Sequence, residues 1–232
     1  MNPPAKVSPG ALLAFLVISA FYSFLPLLVV GRWDWVPGWV YAGLTLLSTI
    51  GSRILAARKN PGIIAERAKS LQASDAKEWD KKLMPLVGMI GPTLILLVSG
   101  LDVRLGWSPA LPGWLGPATL AVLCLGLIFG TWAFLENKFF SGVVRIQTER
   151  GHHVIDSGPY RLVRHPGYAG ALWMYLAIPL YFGSLWGLIP AIGLVAVLVI
   201  RTALEDKTLQ EELPGYKEFA QRTKYRLFPG IW

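Results

Sequence analysis

The sequence is poor in charge. Charged residues make up 16% of its 232 residues and hydrophobic residues 53%, whereas a soluble domain usually carries about a quarter charged residues. Charge is missing altogether from five stretches, at 7–31, 35–52, 83–101, 105–135 and 168–200. A helix needs roughly 20 residues to cross a hydrocarbon layer of about 30 Å. The sequence therefore predicts a multi-pass α-helical membrane protein.

Metal-binding residues are equally scarce. The single cysteine, Cys124, excludes an intramolecular disulfide and a cysteine-based zinc site. Of the three histidines, His152 and His153 are adjacent and His165 stands apart, so no i,i+4 pair suggests a metal. The stretches without charge also lack the ionisable groups that transporters use at membrane depth. We therefore expect no metal, and transport has little support.

The net charge of +8 would suggest nucleic acid as a partner of a soluble protein, but here it follows membrane orientation. Segment 53–82 holds eight basic residues and the tail 201–232 holds six, while the turns near 31–35 and 102–114 hold one each. By the positive-inside rule the basic segments and both termini are cytoplasmic. The first stretch is too long for an ordinary signal peptide, so we expect a retained helix.

The last uncharged stretch, 168–200, would be about 50 Å long as one helix, yet both its flanks are basic. Pro179, Gly183 and Pro190 lie where a turn would be needed. We therefore predict a helical hairpin with arms at 167–182 and 187–212.

The predicted fold is thus an all-α integral membrane protein. It has four single-span helices, at about 10–30, 36–55, 84–101 and 115–135, followed by the hairpin, and we expect any chemistry at the cytoplasmic rim, where a cofactor pocket could form. We divide the chain into an N-terminal part, 1–135, with a cytoplasmic loop at 56–82, and a C-terminal core, 136–232. Gly126 and Gly130 form a G-x-x-x-G pair, which predicts a close helix–helix contact.

Polar residues concentrate in 145–168 and again in 201–206. Pro166 suits the first position of a helix, and the N–H groups of Gly167, Tyr168 and Ala169 would then attract an anion. Tyr160 and Tyr168 offer aromatic faces to an adenine ring or a cation.

A hairpin brings its two ends together, so Arg201 and Glu205 should lie near His165 and Tyr168. Arg201 and Glu205 are four residues apart on one helix face. They form either a plain i,i+4 ion pair or part of a site that holds a charged acceptor and a cofactor amine.

Several motifs in the C-terminal part, taken in their order along the chain, resemble those of a known family. They are Gly158-Pro159-Tyr160, Val163 to Gly170, Arg201-x-x-x-Glu205-Asp206, and the ending Leu213-Pro214-Gly215-Tyr216 with Tyr225 to Gly230. Over roughly 132–232 the chain resembles the isoprenylcysteine carboxyl methyltransferase family and, more distantly, the membrane phosphatidylethanolamine N-methyltransferases. Where relatives often carry a second Glu, this chain has Asp206.

The resemblance implies a site for S-adenosyl-L-methionine, with S-adenosyl-L-homocysteine as the product, and an acceptor that arrives from the bilayer. It implies catalytic roles for Arg201, which would meet the acceptor, and Glu205. It implies cofactor contacts for eleven residues: Gln147, His152, His153, Val154, Ile155, Tyr160, His165, Pro166, Gly167, Tyr168 and Glu205.

Methyl transfer from a sulfonium is a direct displacement, so alignment and exclusion of water are the main tasks. We expect a lipophilic acceptor bearing a carboxylate, of the prenylcysteine or isoprenoid kind, with membrane lipids as partners. The expected location is the plasma (inner) membrane of a prokaryote. The alternative is a non-catalytic membrane subunit that binds lipid, quinone or haem, with His165 as a ligand.

Overall fold

The computed structural model describes residues 8–60, 62–70 and 73–232, and in these ranges every regular element is a helix. The predicted cytoplasmic N-terminal residues 1–7, and residues 61, 71 and 72 of the predicted loop 56–82, lie outside the described residues. The helices are α1 (Pro9–Val30), α2 (Val36–Lys59), α3 (Ile63–Ser70), α4 (Glu78–Pro85), α5 (Gly91–Leu105), α6 (Leu115–Glu136), α7 (Pro166–Tyr181), α8 (Leu188–Glu212) and α9 (Tyr216–Arg222).

Five helical segments in the described ranges are long and apolar enough to cross a membrane: α1, α2, the segment Glu78–Leu105, α6 and α8. Their outer faces expose large apolar side chains such as Leu13, Leu47, Ile128 and Ile189. Helices that are apolar on all sides are typical of membrane spans. The protein is therefore an all-α integral membrane protein, as predicted.

The third span differs from the prediction of 84–101, since it begins at Glu78 and ends at Leu105. A π-helical turn, Leu86–Ile90, follows Pro85 and separates α4 from α5. Proline removes one backbone donor and crowds the preceding turn, which is a recognised cause of irregular helix geometry. Among the charged residues at the start of the span, Asp80 lies on the inner face of α4 and is fully buried against partners in other segments.

The predicted hairpin is present as α7 and α8. Pro166 is in the first turn of α7, as predicted. The turn between the arms contains Gly183, whose φ of +77° suits a residue without a side chain. The Ser184 N–H closes the turn by donating to the Pro179 carbonyl over 2.8 Å.

The α6–α7 contact joins the two halves of the chain. A methyl group added at Gly170 would lie 2.7 Å from the Gly126 carbonyl oxygen and 2.9 Å from the Gly130 nitrogen, so only glycine permits this approach. The G-x-x-x-G prediction is confirmed. The division of the chain at 135 stays a prediction, and α6 and α7 pack directly on each other across it.

Candidate functional site

A cavity lies where the start of α7, the C-terminal part of α8, α9 and the stretch 137–155 meet; we call it the hairpin cavity. Ten of the predicted site residues line it: Gln147, His152, His153, Val154, Ile155, Tyr160, His165, Gly167, Tyr168 and Glu205. The other wall residues were not predicted: Asn137, Phe139, Phe140, Ser141, Val143, Val144, Arg145, Arg164, Leu209, Leu213, Tyr216 and Phe219. The structure does not bring Pro166 or Arg201 to the wall.

The two ends of the hairpin meet at Tyr168 and Glu205. The Tyr168 hydroxyl donates to Glu205 Oε2 over 2.5 Å, across 37 positions of sequence. The Tyr168 ring stacks on His165, with centroids 5.8 Å apart and ring planes 9° from parallel. The predicted proximity of the hairpin ends is therefore confirmed, and it places a carboxylate beside aromatic faces.

The backbone at the start of α7 is less open than the sequence suggested. The N–H groups of Tyr168 and Ala169 both donate to the His165 carbonyl over 3.1 Å. The prediction that these two groups await an anion is therefore wrong, because the chain itself caps them. Side chains, above all Glu205 and the aromatic rings, dominate this part of the wall.

Arg201 pairs with a residue that the sequence did not single out. Its Nε and Nη2 donate to the two carboxylate oxygens of Asp80 over 2.7 and 3.1 Å, and Nη2 also donates to the Gly142 carbonyl over 3.0 Å. The alternative of an Arg201–Glu205 ion pair is therefore wrong. The guanidinium lies 5.3 Å from the centroid of the Tyr168 ring, so Arg201 contacts a wall residue from behind the cavity.

Asp206 is the centre of a buried polar network. Arg164 donates to both of its oxygens over 2.7 and 3.0 Å, and Arg226 donates to Oδ2 over 2.9 Å. The Tyr216 hydroxyl donates to Oδ1 over 3.1 Å, and His165 Nε2 lies 3.2 Å from the same oxygen. Since Asp206 itself is fully buried, the network fixes His165 and Tyr216, which line the cavity. The sequence predicts no role for Asp206, which the family resemblance marks only as a departure from relatives.

The loop before the hairpin is held by Gln147, which is 1% exposed. Its amide donates to the Phe139 carbonyl over 2.7 Å, and its backbone N–H donates to His152 Nδ1 over 3.2 Å. Burial, together with the nearby His153 and Arg150, lowers the pKa of His152 to about 4. His152 is therefore neutral near pH 7, with its proton on Nε2 while Nδ1 accepts.

Arg145 ties the cavity to the connection between α3 and α4. It donates to Glu66 over 2.5 Å, and to Asp75 and Glu149 over 2.9 Å each. Burial opposes its charge, but these three hydrogen-bonded carboxylates raise the pKa of Arg145. Arg145 begins the polar stretch 145–168 but is not among the predicted site residues, since its partners come from three separate segments.

The cavity suits a ligand that combines a flat ring with positive charge. Tyr160, Tyr168 and His165 supply ring faces, and aromatic faces attract cations. Glu205 Oε1 has no hydrogen-bond donor within the described part of the chain and can accept from a ligand amine or hydroxyl. In the same ranges no group of three or more His, Cys, Asp or Glu side chains lies together as a metal site would require.

The fold and site together define a membrane protein with a cavity at the ends of a helical hairpin, lined by apolar and aromatic side chains together with a few polar groups such as Glu205. The model of the phospholipid methyltransferase family matches residues 115–214. This range contains every residue that the sequence predicted for the site. The match supports the more distant of the two predicted likenesses, while the likeness to isoprenylcysteine carboxyl methyltransferases stays a prediction.

The chain is also similar to the Delta(14)-sterol reductase TM7SF2 of Mus musculus. The two are 27% identical over 226 residues, which cover 84% of this chain and 52% of the mouse protein. The chain thus spans about half the length of this curated relative.

Proposed function

We propose that the protein is an integral membrane methyltransferase that moves the methyl group of S-adenosyl-L-methionine to a lipophilic acceptor. The observation that carries the proposal is the coincidence of the hairpin cavity with the match to the phospholipid methyltransferase family. The wall residues fit the cofactor, because they offer ring faces for the adenine and the sulfonium and the free oxygen of Glu205 for the amine. Bound there, the cofactor supplies an electrophilic methyl group.

The residues of the chain then align the reactants and keep water out. Tyr168 and Glu205 are held in place by their mutual hydrogen bond and by the His165 ring. Arg201 and Asp206 position Tyr168 and His165 from behind. A fixed geometry of this kind lowers the entropic part of the barrier to a direct displacement.

The acceptor we favour is a carboxylate on a prenylcysteine-like or isoprenoid substrate. A carboxylate is already ionised, so its oxygen forms the new bond to the methyl carbon while the carbon–sulfur bond breaks, and no base is needed. The family match suggests a phospholipid amine as another acceptor. An amine, unlike a carboxylate, must lose a proton in the reaction.

Two other functions make different predictions. The likeness to a sterol reductase favours a lipid reductase, which takes a hydride donor such as a nicotinamide dinucleotide. A non-catalytic subunit that binds lipid, quinone or haem has less support, because Nε2 of His165, the proposed haem ligand, faces Asp206 at 3.2 Å.

Calorimetry on the detergent-solubilised protein separates these functions. The methyltransferase binds S-adenosyl-L-methionine and S-adenosyl-L-homocysteine, the reductase binds NADPH instead, and the non-catalytic subunit binds neither. Labelled methyl transfer into a total membrane lipid extract, followed by identification of the product, then names the acceptor. Absence of S-adenosyl-L-methionine binding by the folded protein would overturn the proposal.

We further propose that the hairpin cavity faces the cytoplasm of a prokaryotic cell, since the segments around it are basic. Cysteines placed at the exposed positions Ser74 and Gln221, in a Cys124→Ala background, are both expected to resist an impermeant thiol reagent in intact cells. A label on either one contradicts this orientation.

A further inference from the structure

A second cavity lies on the other side of the hairpin cavity's wall, between α2, α6 and α7. One side carries the hydroxyl groups of Ser48, Thr49 and Ser52, and near them are the guanidinium groups of Arg53 and Arg67. We call it the arginine cavity. It is absent from the predicted site, because three of its polar residues belong to an apolar stretch and its arginines were counted only for orientation.

The two arginines are surrounded by aromatic rings. The Arg53 guanidinium lies 4.6 Å from the centroid of the Phe134 ring, and that of Arg67 lies 5.3 Å from the same centroid. Arg67 also donates to the Phe140 carbonyl over 3.4 Å. Ring faces of this kind attract cations, but they carry no formal negative charge.

The electrostatics of the pair favour an anion. In the described ranges no carboxylate forms an ion pair with Arg53. The Arg53 guanidinium lies beside that of Arg67. Burial, and next the charge of Arg53, lower the pKa of Arg67. Two neighbouring half-buried guanidinium groups are stabilised by a carboxylate or phosphate, which matches the donor geometry of arginine.

Phe140 and Gly167 line both cavities. Gly167 has no side chain there, and a methyl group added to it would lie 2.8 Å from the Phe140 ring. Phe140 and Gly167 therefore form part of the partition between the two cavities, and the arginine cavity adjoins the site of Tyr168 and Glu205 at this point.

We propose that the arginine cavity binds the acceptor, and that the acceptor is an amphiphile whose anionic group lies against Arg53 and Arg67. The anionic group is a carboxylate or a phosphate, and the apolar chain lies along the surfaces of α2, α6 and α7. The role of the bound amphiphile as methyl acceptor rests on the proposed function. Its binding in the arginine cavity does not.

The test measures binding of three labelled probes to the full chain in detergent: palmitate, hexadecyl phosphate and uncharged hexadecanol. Both anions are expected to bind more tightly than hexadecanol, and the tighter anion identifies the source of the charge. Arg53→Gln is expected to weaken anion binding by about tenfold, because one charge-assisted hydrogen bond is lost. Arg53→Lys, which keeps the charge, is expected to retain most of the preference for anions.

Arg58→Gln is the matched control, since Arg58 is an exposed residue of the same helix, and it is expected to bind all probes as the natural chain does. An unchanged thermal unfolding midpoint in detergent reports that each variant is folded, and binding of S-adenosyl-L-methionine is measured beside it. Equal affinity for the three probes, or an Arg53→Gln variant that binds cofactor and anions normally, overturns the inference. Anion binding without any cofactor binding supports the lipid site and refutes the proposed function instead.

Discussion

Two buried aspartates stabilise opposite ends of the hairpin, and their partners differ. Asp206, near the C-terminal end of α8, accepts from the charged groups of Arg164 and Arg226 and faces His165. Asp102, in α5 beside the hairpin turn, accepts only from neutral donors within the described residues: Ser108 Oγ and Ser184 Oγ over 2.6 Å each, Ser108 N over 2.7 Å and Trp186 N over 3.3 Å.

The difference shows what each end does. The Asp102 end is closed, since hydroxyl and backbone groups surround the carboxylate and tie the turn to α5. The Asp206 end borders the hairpin cavity. Its network contains two like-charged guanidinium groups, those of Arg164 and Arg226, and the carboxylate between them offsets their repulsion. The first arrangement is suited to holding helices together, while the second also places side chains for a ligand. The predictions below test this contrast.

The largest effect is expected from Asp206→Asn. It leaves the buried guanidinium of Arg164 and the partly exposed guanidinium of Arg226 without their counter-charge, and breaking a buried ion pair in this way costs about 3–5 kcal/mol of stability. Thermal unfolding in detergent measures the loss, with the exposed Asp34→Asn as control. Affinity for S-adenosyl-L-methionine should fall as well, since His165 and Tyr216 lose their anchor. An unfolding midpoint equal to that of the control is inconsistent with a central role for Asp206.

Asp102→Asn is expected to cost about 1–3 kcal/mol, because the amide oxygen still accepts while its NH₂ group opposes the surrounding donors. Cofactor affinity of the folded fraction should not change, since the turn is at the far end of the hairpin. The same unfolding and calorimetric measurements apply. A loss of cofactor binding greater than the loss of folded protein would remove the contrast between the two ends.

Glu205→Gln is expected to change binding without changing the fold. The Gln oxygen can still accept from Tyr168, but the charge facing the ligand is lost, so affinity for S-adenosyl-L-methionine should fall about tenfold. Glu211→Gln, on the exposed face of the same helix, serves as control. If Glu205→Gln lowers stability and affinity in equal measure, Glu205 is structural.

The smallest effect concerns pH and His152. Its pKa of about 4 in the folded protein lies below the unfolded value of about 6.5, so folding favours the neutral form. The stabilisation is complete above about pH 6.5 and is lost as the pH falls towards 4. Unfolding of the natural chain and of His152→Asn should therefore converge as the solution is acidified. A constant difference between them would show that His152 does not titrate as proposed.

The architecture could largely be predicted because its signals are local. The arms of the hairpin follow from an uncharged stretch too long for one crossing and from Gly183 and its neighbours, and the observed arms differ from the prediction by one residue at each boundary except the shared end at 212. The G-x-x-x-G spacing of Gly126 and Gly130 likewise predicted the close helix–helix contact. The family likeness supplied the set of wall residues between Gln147 and Glu205.

The supporting interactions could not be predicted, because they join distant segments. Asp80 and Arg201 are 121 positions apart, and nothing in the charged stretch around Asp80 distinguishes it from its solvent-exposed neighbours. The same holds for Arg145, whose Glu66 partner is 79 positions away. Such pairs depend on which helices pack together, and no periodicity within one segment reports that.

The short first arm of the hairpin has a consequence for where the reaction takes place. With 16 residues, α7 is about 24 Å long, less than the hydrocarbon thickness of about 30 Å. With its far end at one interface, its start at Pro166 lies several ångströms beneath the opposite one, unless the bilayer thins around it. For the methyltransferase proposed above, this depth means that a water-soluble donor descends into the lipid layer and that a lipophilic acceptor reacts without leaving the membrane. Activity in bilayers of graded thickness should therefore vary.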